Sequence, residues 1–110
     1  MEIQTRKEKV AVVVSVKGRM DAVTAPEFDK RVTDLISKGE KTFLVNLDEL
    51  DYISSAGLRS ILALAKKLKE REGKIVMAGL KGPVEEVFKI SGFQSIFKIF
   101  DSEESALREI

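Results

Sequence analysis

Two adjacent serines, Ser54 and Ser55, stand in the stretch LDYISSAGLRSIL, between an apolar strand-like run and an apolar helix-like run. Hydroxyls at such a junction suit four kinds of chemistry. The first is capping, in which a serine oxygen accepts from a free first-turn N–H and contributes about 1 kcal/mol. The second is nucleophilic catalysis. A nucleophile elbow reads G-x-S-x-G, but here Gly57 lies two residues after Ser55, no glycine lies two before it, and the chain has no histidine to activate a hydroxyl. Lys66 and Lys67, the bases of a Ser–Lys variant, fall about three helical turns away. The third is an anion cradle at a helix N-terminus. The phosphate-loop pattern G-x-x-x-x-G-K-[ST] and the dinucleotide pattern G-x-G-x-x-G are both missing, and GLKGP (79–83) is more simply a turn. The fourth is covalent phosphorylation, which adds a charge of roughly −1.5 to −2. The positive end of a helix tolerates that charge. Such a phosphate alters the surface a partner meets and leaves the fold standing.

Composition narrows the classes. The 110 residues suit one small domain spanning 1–110. With no cysteine and no histidine, disulfides, thiolate metal sites and the commonest general base are all excluded; neither a metal nor a cofactor is expected. The 19 basic and 18 acidic residues are interspersed and leave a net charge of +1, so no nucleic-acid or membrane surface is expected. No apolar run approaches the roughly 20 residues of a membrane span, and MEIQTRKEKV lacks the apolar segment of a signal peptide. The expectation is a soluble, cytoplasmic protein. Charged residues make up 34% of the chain, and Gln4, Asn46 and Gln94 are its only side-chain amides. That bias resembles thermophile proteins, or the sampling noise of a short chain.

The elements that must position the serines follow from periodicity. EIQT (2–5) reads as a short strand, RKEK as a turn, and VAVVVSVK (10–17) as a buried strand that Gly18 breaks. In GRMDAVTAPEF, Thr24 and Glu27 have capping-box spacing and Pro26 suits a first turn. Phe28, Val32, Leu35 and Ile36 then share a helical face that stops at Gly39. TFLVNL (42–47) is a second buried strand and DELDY a polar turn. A helix runs from Ser55 to about Arg71, ended by Gly73. KIVMAG (74–79) is a strand, GPVEEVFKISG a short helix with Pro83 in its first turn and Gly92 as its stop, IFKIF (96–100) a strand, and DSEESALREI a helix capped by Asp101 or Ser102. This alternation predicts an α/β layer fold, with a mixed, mostly parallel sheet of about four to five strands and about four helices.

On this map the two serines follow the carboxyl end of a strand and open a helix, the edge where α/β sheets collect their chemistry. A 100° wheel assigns Gly57, Leu58, Ile61, Leu62, Leu64, Ala65 and Leu68 to the core. It places Ala56, Ser60 and Ala63 on the opposite arc, with Arg59 and Lys67 nearby. Small residues there admit a partner's backbone closely, or simply reflect the helix propensity of alanine.

VNLDELDYISSAGLRSIL resembles the signature of the STAS domain, the fold of bacterial anti-sigma factor antagonists. GRMDAVTAPEF resembles the family's G-x-[LIM]-D-x-x-[ST]-A-x-x-[LF] segment, and ISGFQSIFKIFDSEESAL its closing helix, strand and helix. The resemblance covers nearly the whole chain. It implies a non-enzymatic antagonist that binds an anti-sigma factor, itself an ATP-dependent serine kinase of the histidine-kinase-like ATPase class. Binding frees the sigma factor, phosphorylation of the antagonist ends the interaction, and a phosphatase resets it. The implied acceptor, two residues before the motif glycine, is Ser55. The family's loop aspartate maps onto Asp21. Where members often read D-S-S-G or D-S-T-G, this chain has Ser54, which makes Ser54 the expected cap and a secondary acceptor. The implied partner surface comprises Asp21 and Thr24 from the upstream segment. From the helix start it takes Ser54, Ala56, Gly57, Arg59, Ser60 and Ala63. The alternative within the family is a scaffold or transport-associated STAS domain without a sigma-factor role.

Overall fold

A computed structural model describes residues 1–110. The chain forms β1 (Glu2–Lys7), β2 (Val12–Met20), α1 (Ala25–Ser37), β3 (Thr42–Asn46), β4 (Leu50–Ile53) and α2 (Ser55–Glu70). It continues as β5 (Lys74–Ala78), α3 (Gly82–Ser91), the single turn α4 (Phe93–Ile96), β6 (Lys98–Phe100) and α5 (Glu103–Glu109). The strands make one six-stranded sheet in the order β1-β2-β3-β5-β6, with β4 attached to β2 off that path. Only β1 runs antiparallel to its neighbour; the other pairings are parallel. The expected mixed, mostly parallel α/β layer is present, one strand larger than the four to five anticipated.

The layering follows from connection handedness. Strands β2, β3, β5 and β6 are laid down in one direction across the sheet. Right-handed crossovers in a constant direction put every connecting helix on the same face. That face carries the main core, where Val12, Val14, Val16, Phe43, Val45 and Met77 meet Phe28, Ile61, Leu64, Leu68 and Phe88. Full burial of each such side chain contributes roughly 1.5–3 kcal/mol. The intervening strand residues Val13, Leu44, Val76 and Ala78 point the other way and pack with Ala106 of α5. Both faces of the central strands are thus buried, which is why VAVVV carries no polar alternation. Glu103 holds α5 in place, accepting from Arg6 at 2.7 Å and from the Asn46 amide at 3.2 Å.

Several local expectations are corrected. Gly18 does not end its strand: at φ +94° it sits where the pairing of β2 shifts register, and the strand continues to Met20. Before the bulge β2 pairs with β3, from Val12↔Phe43 to Ser15↔Asn46; beyond it, Arg19 and Met20 pair with Tyr52 and Ile53 of β4. Leu50, Asp51 and Tyr52 of the expected polar turn DELDY are therefore strand. Finally, Ile96 belongs to α4 and the last strand begins at Lys98. Helix α2 also ends differently in detail. Glu72 takes the left-handed conformation at φ 58°, while Gly73 is required because a Cβ there would collide with the Lys41 carbonyl oxygen.

Candidate functional site

The bulged end of β2 and the end of β4 build the site. Ser54 N–H donates to the Met20 carbonyl at 2.9 Å. Asp21 follows Met20 and Ser55 follows Ser54, so this one hydrogen bond brings the loop aspartate and the helix start together. Ser54 is extended (φ −96°, ψ 176°), and its hydroxyl accepts from Gly57 N–H at 3.3 Å. It is the N-cap of α2. Ser55 is the first residue of the helix, and its side chain is exposed. The first turn of α2 contains no acidic residue of its own to offset the positive end of its dipole.

Gly57 makes the junction possible. A Cβ on it would lie 2.7 Å from Ile53 Cγ1, 2.9 Å from the Met20 carbonyl oxygen and 3.1 Å from Met20 Cγ. The helix thus packs its first turn directly on the ends of β2 and β4. Gly57 is buried and faces inward.

The loop before α1 is organised by Asp21. Its Oδ1 accepts from the N–H groups of Val23 (3.0 Å) and Thr24 (3.1 Å). Thr24 Oγ1 accepts from Asp21 N–H at 2.9 Å and donates to the Arg19 carbonyl at 2.9 Å. The expected Thr24–Glu27 capping box is absent, because the threonine hydroxyl is spent inside the loop and makes no side-chain cap on α1. The Asp21 carboxyl is held below the ordinary carboxylate range. The Thr24 N–H is the main cause, supported by the Val23 N–H, the Thr24 hydroxyl and the Arg19 charge, while desolvation opposes them. The Arg19 guanidinium lies 4.0 Å above the Tyr52 ring, bridging β2 to β4 at the rim.

Between the N-terminal half of α1 and α2 lies an open groove of about 370 Å³. One wall is Ala22, Ala25, Pro26 and Asp29; the other is Ala56, Arg59, Ser60 and Ala63. The wheel placed Ser60 outward, and here it is corrected: α1 packs across this side of α2 and leaves Ser60 only 7% exposed. Ala63 and Arg59 are exposed and Ala56 half-buried. Lys67 reaches over to α1, donating to Thr33 Oγ1 at 3.1 Å. Sequence reasoning missed Arg19, Tyr52 and Val23. Val23 is 87% exposed in the Asp21 loop, and its signal was an apolar residue inside a polar loop. Tyr52 was hidden because its strand was read as a turn.

Comparison with known proteins gives a consistent result. Residues 2–106 match the STAS domain family. The chain is 38% identical over 106 residues to BtrV of Bordetella bronchiseptica, provisionally designated an anti-sigma factor antagonist, covering 96% of this chain and 91% of that one. A crystal structure from Thermotoga maritima, likewise provisionally described as an anti-sigma factor antagonist, superposes with a TM-score of 0.92 at 22% identity, over 98% of this chain and 93% of that chain. The Bacillus cell fate determinant SpoIIAA in its phosphorylated form superposes with a TM-score of 0.79 at 20% identity, over 98% of both chains. No helix is long and apolar enough to cross a membrane.

Proposed function

The chain belongs to the STAS domain family, and from that premise we propose that it is an anti-sigma factor antagonist switched by phosphorylation at Ser55. It binds an anti-sigma factor that is also an ATP-dependent serine kinase, and so releases a sigma factor in the cytoplasm. The observation that carries this reading is the division of labour between the two serines. Ser54 is committed to Gly57 N–H as a cap, whereas Ser55 presents its hydroxyl to solvent at the first position of the helix.

The transfer needs nothing from this chain beyond a positioned nucleophile. Ser55 Oγ attacks the γ-phosphorus of kinase-bound ATP and forms the Oγ–P bond as the bond to the β–γ bridging oxygen breaks. ADP leaves, and the hydroxyl proton passes to a base of the kinase. Hydrolysis by a phosphatase restores the hydroxyl and releases inorganic phosphate. In the free protein the phosphate is hydrated and favoured by the helix dipole. In a complex it must shed water and fit beside Ala56 and Ala63, at a cost of several kcal/mol. Every 1.4 kcal/mol is tenfold in affinity, so one phosphate suffices to separate the partners. Exposed Val23, Arg59 and Ala63, with half-buried Asp21, form the rim that the partner meets; Gly57 and Ser60 contribute from beneath.

The test captures partners from a lysate of the source organism with wild-type and Ser55→Glu baits, then incubates the wild-type complex with ATP. A histidine-kinase-like ATPase retained by wild type alone, with phosphate mapped to Ser55 by mass spectrometry and loss of the complex, supports the reading. Phosphate at Ser54, or a complex that survives complete modification, overturns it.

A further inference from the structure

Arg59 lies one helical turn beyond Ser55, at i+4 on α2, where Cβ atoms are about 5–6 Å apart. It is exposed, and none of the chain's seven ion pairs includes it. Asp29 shares its groove from the α1 side without pairing to it. Among the other charged groups of this corner, Arg19 is stacked on Tyr52, and Asp21 is held by the N–H groups of its own loop. Arg59 is thus a guanidinium at the groove wall with no carboxylate partner, in the favourable order of an anion N-terminal to a cation at i,i+4.

Resting on Ser55 as the modified residue, we propose that Arg59 receives the phosphate of phosphoserine 55 within the same chain. Two N–H donors of a planar guanidinium match two phosphate oxygens, a geometry that lysine does not reproduce. The pair draws the phosphate along α2 toward Arg59, at the edge of the groove. It is satisfied while hydrated and costly to bury intact beneath a partner. Arg59 therefore favours the phosphorylated protein in its free state, and the same contact that steadies the phosphate holds it at the edge of the groove.

The test uses full-length protein with phosphoserine genetically encoded at position 55, so no kinase is needed. Phosphorus NMR follows the second phosphate ionisation, ordinarily near 6, in the wild-type background, in Arg59→Gln and in Arg59→Lys. Removing the cation in Arg59→Gln should raise that pKa by roughly 0.2–0.4 unit. Arg59→Lys should keep most of the electrostatic depression, while guanidinium proton shifts that respond to phosphate appear only with arginine. Equal phosphate pKa values in wild type and Arg59→Gln overturn the pairing. Since phosphoserine is installed directly, failure of a kinase to modify Ser55 would sink the functional reading and leave this measurement standing. The reverse failure would leave the switch intact and remove Arg59 from it.

Discussion

Replacing Gly57 with alanine sets two effects of opposite sign against each other. Gly57 sits in the first turn of α2 without a positive φ, so alanine there gains about 1 kcal/mol of helix propensity. Its Cβ, however, would lie 2.9 Å from the Met20 carbonyl oxygen and 2.7 Å from Ile53 Cγ1. The Ile53 side chain has some freedom to turn. The Met20 oxygen does not, because it accepts from Ser54 N–H at 2.9 Å, and that bond aligns the site. Overpacking of this kind typically costs 1–3 kcal/mol; with a backbone atom involved, the upper half of that range applies. The net effect is a loss of about 1–2 kcal/mol, which for a domain of this size lowers Tm by roughly 4–8 °C. Urea titration and thermal melts measure the loss, and amide exchange at Ser54 reports whether its bond to Met20 loosens with it. A variant as stable as wild type, or more stable, would mean that α2 is free to lift off β2 and that the junction is not close-packed.

Further outcomes separate the roles of neighbouring residues. Ser54→Ala should cost about 1 kcal/mol by exposing Gly57 N–H without a cap, whereas Ser55→Ala should leave the urea midpoint within about 0.5 kcal/mol of wild type; equal losses would dissolve the distinction between them. Ala63→Arg should leave stability within about 0.5 kcal/mol yet weaken partner binding by more than about tenfold, read by calorimetric titration; an unfolded variant would show that Ala63 is not the outward residue seen here. Asp21 should titrate below the ordinary carboxylate range in a carbon-detected NMR series. Its folded pKa is lowered, so its contribution to stability is present above the unfolded value of about 3.9 and is lost as pH falls through the folded one. Asp21→Asn should remove that part of the acid limb of the stability curve.

Where one residue's type decided the local structure, the sequence was legible. Pro26 and Pro83 in first turns, and Gly92 in the left-handed conformation (φ 80°) at the end of α3, follow from backbone chemistry alone; a serine cap at this junction does too, and the resemblance pointed to Ser54. The alternating layer order follows equally from the buried runs. What escaped was tertiary. Only Leu50 and Ile53 of β4 are buried, while Asp51 and Tyr52 face outward, so four residues gave no usable alternation; the strand exists because the end of β2 was left without a neighbour. Ser60 looked outward on a wheel that allowed α2 one buried side, but α2 has two, against the sheet and against α1. Thr24 had cap spacing, yet Asp21, three residues earlier, offered its hydroxyl a nearer partner. Arg19 and Tyr52 are brought together only by the register shift at Gly18, which no local pattern encodes.

The bulge at Gly18 also divides the labour of the sheet. One stretch of β2 is locked between β1 and β3 in the trunk of the domain; the other leaves the trunk and holds β4 through three registered pairs. The corner proposed to meet a partner therefore stands on a branch, and its outward residues share no ladder with β3, β5 or β6. Substitution at exposed positions such as Tyr52 or Val23 should therefore change the surface of this corner while the trunk keeps its shape.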